Sequence, residues 1–253
     1  MNWVGLQTLI KRELVRTFSI INQVIWPPVI TTVLYVFVFG LALGSRIKQV
    51  QGVPYATFLI PGLIMLQVID GTYGESSSSV FQGRFMLSIQ ELLIAPLSAV
   101  ELVAGYIVSG ILRALFIAAL ITVLGIILVH TAPIDWGLYL LVIVLVATLF
   151  SALGVIFGLM AEKFDHIATL TTFAITPLVF VGGVFTSIAF LPPLFQRISL
   201  FNPMFHMIDA FRFSYTGRGD VPLALSLSVV AGLAVVSLGI ALAMTARGYK
   251  LRT

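Results

Sequence analysis

The sequence predicts an all-α polytopic membrane protein, and three observations carry that expectation. Of 253 residues, 59% are hydrophobic and only 9% charged, whereas a water-soluble domain carries about a quarter charged residues. Apolar runs of about twenty residues recur along nearly the whole chain, each long enough to cross hydrocarbon as a helix. The runs are continuous and do not alternate with polar residues, which argues against a β-barrel. Mean hydropathy is +1.10, so the chain as a whole is far too apolar for a water-exposed surface and leaves little room for a soluble domain.

Residues 2–16 read as an N-terminal amphipathic interface helix. Trp3, Leu6, Ile10 and Leu14 fall on one stripe, with Arg12 and Arg16 roughly opposite. Such a helix lies in the headgroup plane, arginines toward anionic lipid or a partner. The apolar run that follows is too long for a signal-peptide core and starts too late, so no cleaved leader is expected. Six transmembrane helices then fit residues 24–43, 55–80, 100–129, 136–160, 167–185 and 221–245. Pro27 and Pro28 suit the opening turn of the first, where a missing amide costs little. Asp135 is an expected N-cap for the fourth, and Asp220 with Pro222 for the sixth.

Two connections are unusual. Between spans two and three, Ser88 with Glu91 and Ser98 with Glu101 each have the S-x-x-E spacing that satisfies orphan amides at a helix start. The first box opens a helix over 88–96 of about two turns that Pro96 cannot continue. A short, capped helix there makes a rigid knob on the membrane surface. Between spans five and six, residues 186–219 are too apolar for a solvated loop and too broken by Pro192, Pro193 and Pro203 to span. They are expected as two short re-entrant helices protected by packing on protein.

An even number of spans puts both termini on one side. Lys11, Arg12, Arg16, Arg84, Lys163, Arg247, Lys250 and Arg252 share it; Arg46, Lys48, Arg197, Arg212 and Arg218 lie opposite. The bias favours cytoplasmic termini, a cytoplasmic knob and an external re-entrant element. The formal net charge of +4 thus reflects flanking Lys and Arg, and no nucleic-acid partner is expected. The absence of cysteine excludes disulfides and thiolate metal sites. No phosphate-binding G-x-x-x-x-G-K-[ST] loop and no H-E-x-x-H occurs, and no paired carboxylates stand out, so neither a nucleotide site nor catalysis is expected in this chain.

Charges inside spans mark function or packing. Arg113 in span three lies near mid-membrane, at about 1.5 Å per residue; Asp70 in span two comes to a similar depth, and Glu75 lies one turn and a bit nearer the cytoplasmic end. Asp70 and Arg113 are expected to pair; the alternative is that Arg113 faces a pathway and meets an anionic headgroup. The run Gly74–Ser79 is too polar for lipid and faces protein or a water-filled vestibule. Gly154-x-x-x-Gly158 and Gly40-x-x-x-Gly44 permit close helix packing, within the chain more than between chains.

The whole chain resembles the permease subunits of bacterial ABC-2 type exporters. The likeness rests on Phe81-Gln82-Gly83-Arg84 through Glu91-Leu92-Leu93-Ile94-Ala95-Pro96-Leu97, on Leu191-Pro192-Pro193 through Asn202-Pro203 to Arg212, and on Arg12-Glu13-Leu14. The resemblance implies a cytoplasmic coupling helix at 88–96 that seats in a separate ABC ATPase subunit. Arg84, Ser88, Gln90, Glu91, Leu92, Leu93, Ala95 and Pro96 would form that contact, with Arg12 and Glu13 bracing beside it. It implies two ATPase copies holding ATP and Mg, no cofactor in this chain, and a second permease copy, as a homodimer, in the cytoplasmic membrane of a bacterium. It implies an external gate with Pro192, Asn202, Pro203 and Arg212. Trp26, Tyr35, Phe173 and Phe180 are candidates for an aromatic path, or ordinary lipid- and core-facing aromatics. The family's cargoes range over polysaccharides, teichoic acid precursors, lipo-oligosaccharides, haem-related compounds and drugs. A secondary carrier is the alternative, but it would need broken helices in matching halves, and only one broken stretch is present.

Overall fold

The computed structural model describes residues 2–44, 49–86 and 97–250. The first capping box, the 88–96 helix and its residues Ser88, Gln90, Glu91, Leu92, Leu93, Ala95 and Pro96 therefore lie outside the described residues. The chain is a helical bundle with, among the described residues, six helices long and apolar enough to cross a membrane. A two-residue hairpin, β1 (Gln49–Val50) and β2 (Val53–Pro54), is the one sheet among the described residues. Its turn residues Gln51 and Gly52 both have positive φ, 53° and 79°, as a tight hairpin turn requires.

α1 (Trp3–Ser19) runs almost directly into α2 (Ile21–Tyr35), with Ile20 at φ −112°, ψ 32° breaking the helix between them. The first span therefore begins at Ile21, three residues before its expected start, and Pro27 and Pro28 sit inside the helix, past its first turn. The helix continues over Val36–Leu43 with wider turns, and the Gly44 amide donates to the Phe39 carbonyl at 3.1 Å. α3 (Tyr55–Phe85) and α4 (Ala99–Val129) are both longer than a bilayer requires. α5 (Trp136–Met160) has the expected bounds, and Asp135 caps it by accepting from the Leu138 amide at 2.9 Å.

α6 (Phe164–Val181) ends four residues earlier than expected. The backbone turns away at Gly183, whose φ of +93° suits glycine alone. The 186–219 stretch forms a single turn at Ile188–Phe190, then α7 (Pro193–Phe201) and α8 (Pro203–Thr216). α9 (Leu223–Ala246) completes the bundle. Asp220 does not cap it. Its carboxylate accepts from Ser187 Oγ at 2.6 Å and Gln51 Nε2 at 2.7 Å. Two donors from distant segments outcompete the local amides, and Pro222 stands at the cap position instead.

α3 is the hub. Its first half, before Asp70, carries apolar residues on all sides, so its stability depends on being surrounded, and Phe58, Leu59, Ile60, Ile64, Met65, Ile69 and Tyr73 are fully buried. Close approach to α5 comes from small residues. A Cβ on Gly154 would stand 2.7 Å from Ser76 Cβ, and one on Gly158 would stand 2.8 Å from the Ser77 carbonyl. Ser76 and Ser77 of the polar run thus face α5, whereas Gly74 and Ser78 line a groove, and Gly154 and Gly158 pack within the chain. The first and fifth spans are peripheral: 17% of each apolar window is buried, against 72% for α3. Their outward faces are left for lipid or another chain.

The ends of the bundle separate cleanly. α1, the start of α4, the α5–α6 turn and the end of α9 meet at one end. The hairpin, Asp135, Ser187, α8 and Asp220 meet at the other. That is the arrangement an even span count requires.

Candidate functional site

Glu13 and Arg16 of α1, Glu75 of α3 and Arg113 of α4 gather into one cluster at the α1 end of the bundle. Leu6, Leu9, Glu13 and Thr17 form the buried face of α1, and Leu9 packs over Gly105, where a Cβ would come within 2.4 Å of Leu9 Cδ2. This stripe is rotated from the expected one. Trp3 is 61% exposed, whereas Glu13 is 2% exposed. Glu13 is therefore turned into the bundle and away from the partner-facing side it was expected to share with Arg12. Its carboxylate accepts from Arg12 Nη2 at 3.0 Å, Arg16 Nε at 3.2 Å and Ser79 Oγ at 2.5 Å. Arg16, expected to point outward, bridges from Glu13 to Glu75.

Glu75 is the centre of the cluster. Its carboxylate accepts from Arg16, from Arg113 Nη1 and, at 2.9 Å, from Thr17 Oγ1. Arg113 therefore pairs with Glu75 and not with Asp70. Depth along the membrane favoured Asp70 over Glu75, and azimuth overrides it. Five residues separate the two, and successive helical residues turn by about 100°, so the side chains project on well-separated faces. Glu75 points toward α1 and α4. Asp70 is exposed on the flank of α3, beside a polar groove of about 370 Å³ lined by Arg16, Gln23, Asp70, Glu75, Ser78, Gln82 and Arg113 among others. Buried Glu75 is stable as an ion only because three donors replace water, and loss of one partner would strand the rest.

The segment expected to couple to a partner is anchored on both flanks. On one side, Arg84 in the last turn of α3 donates through Nη1 to the carbonyls of Gly158 (3.0 Å), Leu159 (2.7 Å) and Ala161 (3.0 Å), and through Nε to the Lys250 carbonyl (2.8 Å). A cation on the carbonyl end of α5 also meets its helix dipole favourably. Arg84 is thus occupied within the chain. On the other side, Ser98 and Glu101 form the expected capping box, with Ser98 N to Glu101 Oε2 at 2.7 Å and Glu101 N to Ser98 Oγ at 3.3 Å. The second oxygen of Glu101 accepts from the Asn2 amide, which ties the start of α1 to the start of α4. Lys250 Nζ reaches Glu162 Oε1 at 2.9 Å, and that contact holds the Glu162 carboxyl below its ordinary range.

At the opposite end, Asn202 and Arg212 converge on the carbonyl end of α6. Asn202 Nδ2 donates to Leu178 O at 2.7 Å while its Oδ1 caps α8 by accepting from Met204 N at 3.0 Å. Arg212, 1% exposed, donates to Gly183 O at 2.6 Å and stacks its guanidinium 3.7 Å from the centre of the Phe58 ring. Pro192 and Pro203 start α7 and α8. Of the aromatic-path candidates, Tyr35 and Phe180 meet around Phe185, each with a ring centroid 5.2 Å from it. Trp26 and Phe173 stand apart on exposed faces, 56% and 78% exposed. The bonds of Glu13, Thr17 and Ser79 to the cluster have no motif in the sequence. The i, i+3, i+7, i+11 spacing of Leu6, Leu9, Glu13 and Thr17 was the one signal that could have found them.

Residues 4–216 match the family model described as ABC-2 type transporter. The chain is 39% identical over 251 residues to the inner membrane transport permease YadH of Escherichia coli K12, covering 99% of this chain and 98% of that one. It is 27% identical over 153 residues to nodulation protein J of Rhizobium leguminosarum bv. viciae, covering 60% and 59%. It is 24% identical over 192 residues to nodulation protein J of Neorhizobium galegae, covering 73% and 70%. Six apolar helices, a doubly anchored connection between spans two and three, and a family match over most of the length lead to one conclusion: this chain belongs to the ABC-2 type transporter family of membrane transport permeases.

Proposed function

We propose that this protein is the transmembrane permease subunit of an ATP-driven exporter in a bacterial inner membrane. In this reading two ABC ATPase subunits, holding ATP and Mg, dock on the cytoplasmic side of two permease copies. The cargo is an amphiphile, a lipid-linked molecule, a glycan or a drug, moved out of the cytoplasm or the inner leaflet. Both termini are cytoplasmic, and the 186–219 element dips into the external leaflet as a gate.

One observation carries the reading. The connection between spans two and three is held at both flanks by different parts of the bundle: Arg84 grips α5 and the segment after α9, and Glu101 grips α1. A push on residues 88–96 would then move α3, α5 and α9 through one anchor and α1 and α4 through the other. ATP binding in the partner biases the permease by its differential affinity for two permease states. The peripheral first and fifth spans supply the apolar faces on which a second copy would pack and between which a path would open.

The test is co-purification of the chain with its genomic neighbours, followed by ATP hydrolysis in lipid nanodiscs. An ATPase is expected to accompany it, and Glu91→Arg is expected to weaken the association or uncouple hydrolysis from transport. A wild-type chain that transports with no ATPase bound would overturn the reading.

A further inference from the structure

We infer that the groove beside Asp70 binds the headgroup of a cation-bearing amphiphile whose tail occupies the adjoining apolar cavity. This deepens the permease reading and rests on it for the biological role of the ligand. Two adjoining hollows carry the inference. The polar groove of about 370 Å³ lies against α3. A second hollow of about 280 Å³, lined by Leu14, Thr17, Phe18, Val24, Leu112, Arg113 and Phe116, lies against α4. Val24 and Arg113 belong to both, so one molecule with a polar end and an apolar end could occupy them together.

The charges decide which polar end fits. Arg113 and Arg16 both donate to Glu75, and Arg16 also donates to Glu13. Both guanidinium charges are already held by a carboxylate, although Nε of Arg113 is buried without a hydrogen-bond partner among the described residues. Asp70 is different. It is exposed in the groove and has no hydrogen bond or ion pair among the described residues, although Arg113 lies close enough to attract it. Three guanidiniums, Arg12, Arg16 and Arg113, are all committed to Glu13 and Glu75, and Asp70 is the third carboxylate of the set. Among the charged residues lining the groove, Asp70 alone makes no direct ion pair among the described residues. A carboxylate at that depth in a span is costly without water or a counter-charge, which an ammonium group would supply. Gln23, Ser78 and Gln82 add neutral acceptors around it. In the apolar hollow, Phe18 and Phe116 pack edge to face at 6.0 Å, a lining suited to an alkyl or aromatic tail.

The experiment uses the full-length permease alone in nanodiscs with a fluorescent hexadecyl-trimethylammonium probe. Saturable binding is expected, competed by unlabelled hexadecyl-trimethylammonium and not by hexadecyl phosphate or hexadecyl glucoside. Asp70→Asn should weaken binding at least tenfold, Asp70→Glu should retain it, and Leu112→Trp, which fills the apolar hollow, should also weaken it at least tenfold. No saturable binding by wild type, equal competition by the phosphate or glucoside, or unchanged affinity in both Asp70→Asn and Leu112→Trp would overturn the inference. The assay needs no ATPase, so its failure leaves the co-purification result standing, and a failed co-purification leaves this binding standing.

Discussion

Glu75 accepts from two guanidiniums and a hydroxyl while 8% exposed, and the consequence of removing it follows from what is left behind. Glu75→Ala strands Arg113 without its ion-pair partner and leaves Arg16 held by Glu13 alone. Breaking a buried pair from one side costs about 3–5 kcal/mol, so thermal unfolding in detergent should show a large loss. Replacing Glu75 by Leu together with Arg113 by Met removes that buried pair while Arg16 stays on Glu13, and should recover much of that loss in the same measurement. The Glu162–Lys250 contact yields a pH dependence. The folded carboxyl titrates below its unfolded value, so the contact contributes above that unfolded value, about 4.3, and fades as pH falls through the folded one. Hydrogen exchange of residues 247–250 should accelerate over that acid range, and Glu162→Gln should abolish the change. Residue types were legible at this scale; partners were not. The sequence marks Asp70, Glu75 and Arg113 as intramembrane charges, but which carboxylate Arg113 takes depends on the rotation of α3 against α4.

At the scale of elements, local chemistry was read most reliably where a cap needs only neighbours. Ser98, Glu101 and Asp135 act within three residues of themselves, and each stands where the sequence places it. Ser98→Ala should cost about 1 kcal/mol of stability and loosen the start of α1 through Glu101, visible as faster exchange at residues 5–8. Asp220 has the residue type and position of a cap and does another job, because Gln51 and Ser187 arrive from far along the chain. Close helix packing shows the same division. Gly154 in an apolar helix is visible in the sequence; that it faces the backbone of α3 at Tyr73 and Ser77 is not. Gly154→Ala would place a methyl 2.9 Å from the Ser77 nitrogen and the Tyr73 carbonyl oxygen, where neither can rotate away. Overpacking of this kind costs about 1–3 kcal/mol, and the Tm of the purified permease should fall accordingly. The π-like widening in the first and fifth spans had no local signal. Both lie in the two peripheral helices.

Across the whole molecule, sidedness is the property on which the proposed role depends. The chain has no cysteine, so single cysteines report topology without background. Glu91→Cys should react with a membrane-impermeant maleimide only from the cytoplasmic side of oriented vesicles, and Phe195→Cys only from the other. The reverse labelling would place the connection between spans two and three away from any cytoplasmic ATPase. The sequence by itself determined the solvent of this protein, the number of crossings and their order, because burial of backbone amides in hydrocarbon leaves an apolar chain few alternatives to helices of membrane length. It also determined the helix starts set by nearest neighbours. Only the tertiary structure decided that Glu13 turns inward, that Glu75 and not Asp70 holds Arg113, and that Asn202 and Arg212 close the end of α6. Those outcomes depend on how helices rotate and approach one another, and a periodicity of 3.6 residues fixes a helix's faces without naming what each face will meet.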